Sequence, residues 1–404
     1  MIHNKPLMVN HLAIAELEKY LSQQGNFCLL DWLLQQDLLS YSAYEAWRYG
    51  QQEFLESSFE IDQEKLLEFI AQTELQGRAL GLVGEPHDYT AWISGGQKLL
   101  KASKTLSVHQ GLTQHWLRAN DVPQLDLFLD NTAVICENEI QANLAGRQFD
   151  AAQKKLQQLT QLNPKHVKLG SYQDLINYGS HMLASATINV ESLAAEVNAL
   201  EEEVVLLARD ILGSNARDYI AFAWRRLGIS AQGVAFNPLH PKLHVSYMLT
   251  QVPDWSAALL ALAQEPSLFT SAALLQRFAM CHERLQNTSE ALIAWCLLFE
   301  CDANLAEVAV ESKISPRLWA LWEDFWDIND GGAKSFFPAF ILVKNPGLVH
   351  HLHKFPRLSS SSTGAMIELL KVFMAGGEEI QSREAVQNIS PALLRLYLNG
   401  RKSK

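Results

Sequence analysis

The spacing of apolar residues is the feature that most constrains what this chain can fold into. Nearly every long segment carries apolar side chains three and four positions apart, and strict alternation rarely continues for more than a few residues. Because a helix brings positions i, i+3 and i+4 to one face, this spacing is typical of amphipathic α-helices. Of the 404 residues, 48% are hydrophobic, which is sufficient for a large core. The sequence therefore predicts an all-α protein.

Two regions are predicted along the chain. An N-terminal α-helical domain is expected over residues 1–94, where short amphipathic patterns end at glycines and a weak boundary follows at Gly95 and Gly96. A helical repeat region is expected over residues 105–404. Within it the run FFPAFILV, at 336–343, is far shorter than the roughly 20 apolar residues of a membrane-spanning helix. That run is interpreted as core, and no membrane association is expected.

A long helix is predicted near residues 190–212. Six apolar residues there alternate steps of four and three, which forms a heptad seam: Leu193, Val197, Leu200, Val204, Leu207 and Ile211. Because so few heptads are marginal for an independent coiled coil, the seam predicts packing against helices of the same chain. Self-association through the seam, which would make the protein a homo-oligomer, is the alternative.

A helical hairpin is predicted in the segment NLAGRQFDAAQKKLQQLTQLNPKH, residues 143–166. Its second helix carries four apolar residues on one face: Phe149, Ala152, Leu156 and Leu159. Gly146 and Arg147 mark the turn before that helix, and Asn163 followed by Pro164 closes it. This Gly-Arg turn is interpreted as a joint between packed helices rather than as part of a reactive site.

The order of residue types in this hairpin recurs twice, at residues 245–266 and 274–302. The matching apolar residues are Trp255, Ala258 and Leu262 in the second copy, and Ala291, Trp295 and Leu298 in the third. These segments resemble the tetratricopeptide repeat family, whose 34-residue unit is a pair of antiparallel helices with small residues at their crossing. Ala279 and Ala291 match those small residues. The resemblance implies an irregular α-solenoid of helical hairpins and a role in binding proteins.

The composition limits which partners and which cellular compartment are expected for this protein. The 44 acidic residues outnumber 33 lysines and arginines, giving a net charge of −11 without a basic patch, so nucleic acid is not expected as a partner. The potential instead favours a basic or amphipathic ligand. The five cysteines are odd in number and contain no C-x-x-C pair, which argues against a disulfide framework and a zinc ribbon. A cytoplasmic location is expected.

No catalytic, cofactor-binding or metal-ligating residue is predicted. His350, His351 and His353 form the densest group of potential metal ligands, but no acidic residue lies near them in the sequence and H-E-x-x-H is absent. The DINDGG segment at 327–332 does not match the ligand order of a calcium loop. The cysteines and histidine at 281, 282, 296 and 301 are interpreted as core positions of the repeat.

Two aromatic groups are interpreted mainly as core. They are Trp319, Trp322 and Trp326 near the C-terminal third, and Tyr41, Tyr44 and Trp47 near the N-terminus. A peptide-binding groove with exposed aromatic anchors is the alternative for both groups. Arg48, beside the second group, is expected to pair either with the nearby Glu45 or with another carboxylate.

The sequence therefore predicts a non-catalytic scaffold or adaptor that binds a protein or peptide on a helical-repeat surface. A metal-dependent hydrolase that uses His350, His351 or His353 is the first alternative. A self-assembling structural protein is the second. The identity of the partner and the residues that contact it do not follow from the sequence.

Overall fold

The computed structural model describes residues 14–24, 26–92, 98–118, 130–184, 188–328, 333–358 and 360–402. The fold is predominantly helical, which confirms the predicted class. The chain forms two compact units. The N-terminal unit comprises Met1–Gly233 and Gln251–Asp254, and the C-terminal unit comprises Val234–Thr250 and Trp255–Lys404.

The N-terminal unit contains helices α1 to α11 and three short strands. The helices are α1 (Ile14–Gln24), α2 (Leu29–Gln35), α3 (Tyr41–Arg48), α4 (Gln63–Ala79), α5 (Leu106–Thr113), α6 (Asp130–Ala145), α7 (Phe149–Leu162), α8 (Leu169–Ala184), α9 (Val190–Ala199), α10 (Val205–Leu212) and α11 (Ala216–Ser230). The strands are β1 (Asn26–Cys28), β2 (Leu82–Glu85) and β3 (His115–Arg118).

The strands form an antiparallel sheet that the sequence did not predict. The strand order is β1-β3-β2, with Phe27 opposite Trp116 and Gly84 opposite the same residue on the other side. Because β3 lies beyond residue 105 and pairs with two strands from before residue 94, the predicted division between 94 and 105 falls inside the N-terminal unit. Gly95 and Gly96, at that division, lie outside the described residues.

The predicted long helix near 190–212 forms as α9, a π-helical segment over Leu200–Val204, and α10 in succession. Its seam residues Leu193, Val197 and Leu200 are buried within the chain. Helix α9 packs against α11, and α10 packs against α8 and α11, as expected for a helix that packs against its own chain. Self-association through this seam stays a prediction.

The C-terminal unit contains helices α12 to α21. They are α12 (Val245–Gln251), α13 (Trp255–Ala263), α14 (Ala272–Arg284), α15 (Thr288–Cys301), α16 (Ala303–Glu311), α17 (Pro316–Ile328), α18 (Phe337–Lys344), α19 (Ser361–Met374), α20 (Ile380–Ile389) and α21 (Pro391–Lys402). Their apolar faces meet in one core, in which α18 packs against α15, α17, α19 and α21.

Helix α18 lies at the centre of the core of the C-terminal unit. Every residue from Phe337 to Val343 is buried, so the helix is apolar on all sides and must be surrounded by others. The interpretation of this run as core is confirmed. Contacts from α18 to α15 and to α21 join helices that are distant along the chain. The solenoid arrangement therefore stays a prediction, whereas the helical class is established.

Helical hairpins form at the first and third predicted copies. Helix α6 packs against α7, and α14 packs against α15, each pair joined by three residues. The middle residue of each connection, Arg147 or Gln286, adopts a positive φ of 60° or 58°. Ala279 and Ala291 are fully buried, as small residues at a close helix crossing should be.

Helix starts follow ordinary capping chemistry. The Ser360 hydroxyl accepts a hydrogen bond of 3.2 Å from the backbone amide of Thr363 and caps α19. Asp62 caps α4 through the amide of Lys65 in the same way. Over the described residues, the model has no helix with the length and apolar content needed to cross a bilayer.

Candidate functional site

A cavity of about 470 Å³ lies in the N-terminal unit. Its walls come from α3, from the turn between α6 and α7, from the end of α8 and from the C-terminal half of α11. Apolar side chains such as Met182, Phe222 and Ile229 form much of the surface, and several charged side chains lie among them. The volume is in the range of sites that hold a small molecule or a side chain of another protein.

Arg147 is the central charged residue of the cavity wall. Its positive φ places it at the tip of the α6–α7 turn, directed toward residues from other parts of the unit. The guanidinium carbon lies 3.8 Å from the centroid of Trp92 and 4.7 Å from that of Phe222. The side chain is 6% exposed. Stacking of a guanidinium on aromatic faces is favourable because the ring faces carry negative potential.

The hydrogen bonds of Arg147 leave one donor unused. Nη1 donates to the Tyr49 hydroxyl, and Nη2 donates to Glu45 Oε1 and to the carbonyl oxygen of Asp218, both at 3.4 Å. The buried Nε has no hydrogen-bond partner among the described residues. Because an unpaired buried donor costs about 1–3 kcal/mol, an acceptor supplied by a bound molecule would remove that cost.

Glu45 connects Arg147 to a second arginine. Its Oε2 accepts a hydrogen bond of 2.8 Å from Arg225 Nε, and Arg225 Nη1 donates to Asp254 Oδ2 at 2.7 Å. Helix α3 supplies Glu45 and α11 supplies Arg225, so these ion pairs hold two walls of the cavity together. Each charged group in this series of ion pairs faces an opposite charge, so these groups together add little net charge to the cavity wall.

A second acidic residue, Asp218, organises the groups behind the cavity. It accepts hydrogen bonds of 3.1 Å from the hydroxyls of Tyr41 and Tyr44, and of 3.3 Å from Arg48 Nη1. Arg217 Nε donates to the same carboxylate at 3.4 Å. The expectation that Arg48 pairs with a carboxylate is confirmed. Its partner is Asp218, 170 positions away, because Glu45 is occupied elsewhere.

The two phenols that donate to Asp218 have raised pKa values. Burial raises the pKa of Tyr41 well above its usual value, and the charge of Asp218 raises it further. Burial also raises the pKa of Tyr44, although the positive charge of Arg48 opposes the rise. Both phenols therefore remain protonated and donate hydrogen bonds.

The mouth of the cavity exposes two large apolar side chains. Leu183, near the end of α8, is 56% exposed, and Ile229, near the end of α11, is 54% exposed. Both residues line the cavity. Exposed apolar groups around a concave site are typical of surfaces that are covered by a partner.

The histidines that the sequence singled out belong to the C-terminal unit and do not line this cavity. His350 and His353 are exposed, and the Nδ1 of His353 is 2.7 Å from the carbonyl oxygen of His350. They belong to short 3₁₀ segments over Pro346–His350 and Leu352–Lys354 rather than to one α-helix. Part of the DINDGG segment lies outside the described residues.

Most residues of the two aromatic groups are core, but Trp319 is half-buried and Trp326 is exposed. Tyr41, Tyr44 and Trp47 are buried, and Trp322 packs against Phe337 with a centroid distance of 4.7 Å. Trp326 is 43% exposed. Neither group forms the cavity described above, which sequence reasoning missed.

Among the described residues, three side chains have ligand atoms close enough to hold one metal ion: Cys28, Asp31 and His115. The histidines at 350, 351 and 353 are not part of this group. Comparison of the chain with protein-family models, with curated proteins and with solved structures finds no match.

Proposed function

We propose that this protein is a non-catalytic adaptor that binds a peptide segment of a partner protein, and that the cavity beside Arg147 receives one large apolar side chain of that segment. The observation that carries the proposal is the combination of an apolar cavity of about 470 Å³ with exposed Leu183 and Ile229 at its mouth. A side chain that enters the cavity would also cover these two residues.

The unused donor of Arg147 supports a peptide as the occupant. Every peptide bond carries a carbonyl oxygen that can accept a hydrogen bond from Arg147 Nε, for which the described residues supply no acceptor. A purely aliphatic small molecule would leave that donor unpaired. A segment with a large apolar residue next to an accessible carbonyl group satisfies both the shape and the polarity of the cavity.

The charge pattern bears on which segment binds. Around the cavity, Glu45 and Asp254 compensate Arg147 and Arg225, so the cavity itself selects by shape and by one hydrogen bond. The net charge of −11 acts at longer range and favours basic flanking residues on the partner. The proposed ligand is therefore an amphipathic segment with basic residues around one apolar anchor.

The resemblance to tetratricopeptide repeats supports an interaction role of this kind, because members of that family bind proteins on surfaces of stacked helical hairpins. The paired helices α6–α7 and α14–α15 agree with the hairpin unit. We also propose a cytoplasmic location. The five cysteines are free and four of them are buried, which suits a reducing compartment.

A peptide-display selection tests the proposal. Random peptides are selected on the full chain, and their affinities are compared for the wild type, Leu183→Glu and Ile229→Glu. We expect the selected peptides to share a large apolar residue and to bind at least about tenfold more weakly to both variants, since a carboxylate at the mouth disfavours apolar contact.

The matched control is Leu75→Glu, which places the same charge on another exposed leucine of the N-terminal unit, on α4. Peptides should bind this variant as they bind the wild type. Selected peptides that bind all four proteins equally would show that the cavity is not the binding site.

A further inference from the structure

A second cluster of side chains in the N-terminal unit has the composition of a metal site. Cys28 is the last residue of β1, Asp31 lies in the first turn of α2, and His115 is the first residue of β3. The sheet register places Cys28 directly opposite His115. A three-residue step along the chain and one strand pairing therefore bring together a thiol, a carboxylate and an imidazole.

The geometry of this cluster fits one ion. The ligand atoms of Cys28, Asp31 and His115 all lie within 4.8 Å of one another. In a tetrahedral zinc site, with bonds of about 2.0–2.3 Å, ligand atoms are about 3.3–3.8 Å apart.

An unpartnered buried nitrogen is the second, independent observation. His115 Nε2 is buried and has no hydrogen-bond partner in the part of the chain that the structure describes. The ring is held in place by His87, which stacks on it with a centroid distance of 4.3 Å and an interplanar angle of 17°. A buried imidazole nitrogen without a partner is costly, and a metal ion in the cluster would supply the missing interaction.

Neighbouring groups are arranged as the outer contacts of metal ligands usually are. Arg217 Nη2 donates to Asp31 Oδ1 at 3.0 Å, which leaves the other carboxylate oxygen available. The Tyr89 hydroxyl lies 3.8 Å from the sulfur of Cys28 and is placed to donate to a thiolate. The thiol itself donates to the Leu112 carbonyl oxygen at 3.4 Å, and this hydrogen bond is given up when the thiol loses its proton. Hydrogen bonds of this kind orient ligating carboxylates and thiolates.

We propose that Cys28, Asp31 and His115 bind one transition-metal ion of the zinc class, with a fourth position open to water. The mixed sulfur, nitrogen and oxygen ligands suit a borderline-soft ion such as Zn²⁺ rather than Mg²⁺ or Ca²⁺. On binding, the thiol of Cys28 releases its proton to solvent and its sulfur forms the bond to the metal. This site is separate from the cavity beside Arg147 and does not depend on the function proposed for it.

Cobalt binding to the full chain without an affinity tag tests the proposal. Co²⁺ is added to metal-free protein, and the near-ultraviolet charge-transfer absorption of a cobalt–thiolate bond is recorded together with the stoichiometry. We expect one equivalent to bind with this absorption, and zinc to displace it. In Cys28→Ser the absorption should disappear and the affinity should fall at least about tenfold.

The matched control is Cys136→Ser, which removes another buried cysteine of the same unit and keeps the other four. The absorption should persist in this variant. An equal signal in both variants, or no thiolate absorption in the wild type, overturns the proposal. If Cys28→Ser does not fold, as judged by its far-ultraviolet dichroism, His115→Gln replaces it. Unchanged cobalt affinity in that variant overturns the proposal equally.

Discussion

The guanidinium carbon of Arg147 lies 3.8 Å from the centroid of the Trp92 ring, 55 positions earlier in the chain. Phe222 lies within 4.7 Å of the same carbon, so the cation is held between aromatic groups. Arg147, which the sequence placed in a turn between two helices, therefore also connects the α6–α7 hairpin to aromatic residues from other parts of the N-terminal unit.

We expect Arg147→Lys to lower the free energy of unfolding by about 2 kcal/mol, because an ammonium group has neither the planar face nor the paired donors of a guanidinium. Urea unfolding of the full chain measures the change. Arg78→Lys is the control, since Arg78 is 74% exposed and pairs with Glu74 at the surface. That variant should differ from the wild type by no more than about 0.5 kcal/mol. Equal losses in the two variants would contradict the role given to the stacked guanidinium.

The crossing of α7 and α8 gives a second prediction. A Cβ atom built on Gly179 would overlap the ring of Phe149, whereas one built on Gly170, at the start of the same helix, would contact nothing within 4 Å. We expect Gly179→Ala to destabilise the protein by about 1–3 kcal/mol through overpacking. Gly170→Ala should be neutral or stabilising by up to about 1 kcal/mol, because alanine favours the helix. Thermal unfolding of the two variants compares them directly, and a stable Gly179→Ala protein would exclude close packing at this position.

The helices were predictable because their signal is local. Phe149, Ala152, Leu156 and Leu159 were assigned to one face of a helix from their spacing alone, and all four are buried in α7. The sheet was not predictable in this way. Its strands have three or four residues, too few to show an alternating pattern. In addition, Asn26 pairs with Leu117, which lies 91 positions later in the sequence.

The candidate site could not be assembled from the sequence for a related reason. Arg48 and Asp218 are 170 positions apart, and no spacing rule connects them. One signal was present at Arg147. A positive φ at the residue after a helix favours glycine, yet the chain has an arginine there, which indicates that the side chain contributes interactions that offset the backbone cost.

The donors gathered on Asp218 give a third prediction. Tyr41, Tyr44, Arg48 and Arg217 all donate to its carboxylate. Asp218→Asn keeps the size of the side chain but removes its charge, which leaves the buried Arg48 and the half-buried Arg217 without full compensation. We expect a loss of about 3 kcal/mol in the free energy of unfolding.

The control for this variant is Asp210→Asn on the exposed face of α10, where a change of no more than about 0.5 kcal/mol is expected. Urea titrations of both variants and the wild type supply the comparison. If Asp218→Asn were as stable as Asp210→Asn, the buried ion pairs would not contribute to the stability of the N-terminal unit.

The stacked histidines predict how stability depends on pH in metal-free protein. Burial lowers the pKa of His87 from 6.5 to about 4, with a further contribution from His115, although Asp31 and Asp88 oppose the shift and Arg48 supports it. Between these two values the unfolded chain binds a proton that the folded chain does not bind. The contribution of His87 to stability is therefore complete above about pH 6.5 and is lost as the pH falls toward 4, and because the side chain is exposed to solvent the loss is smaller than the full shift in pKa would give. His87→Gln should remove that part of the pH dependence.

The measurement is the free energy of unfolding in urea between pH 4 and 7.5, with a chelator present, for the wild type and His87→Gln. As the pH falls, the free energy of unfolding of the wild type should decrease relative to that of His87→Gln. A difference between the two proteins that stays constant with pH would show that His87 ionises alike in the folded and unfolded states.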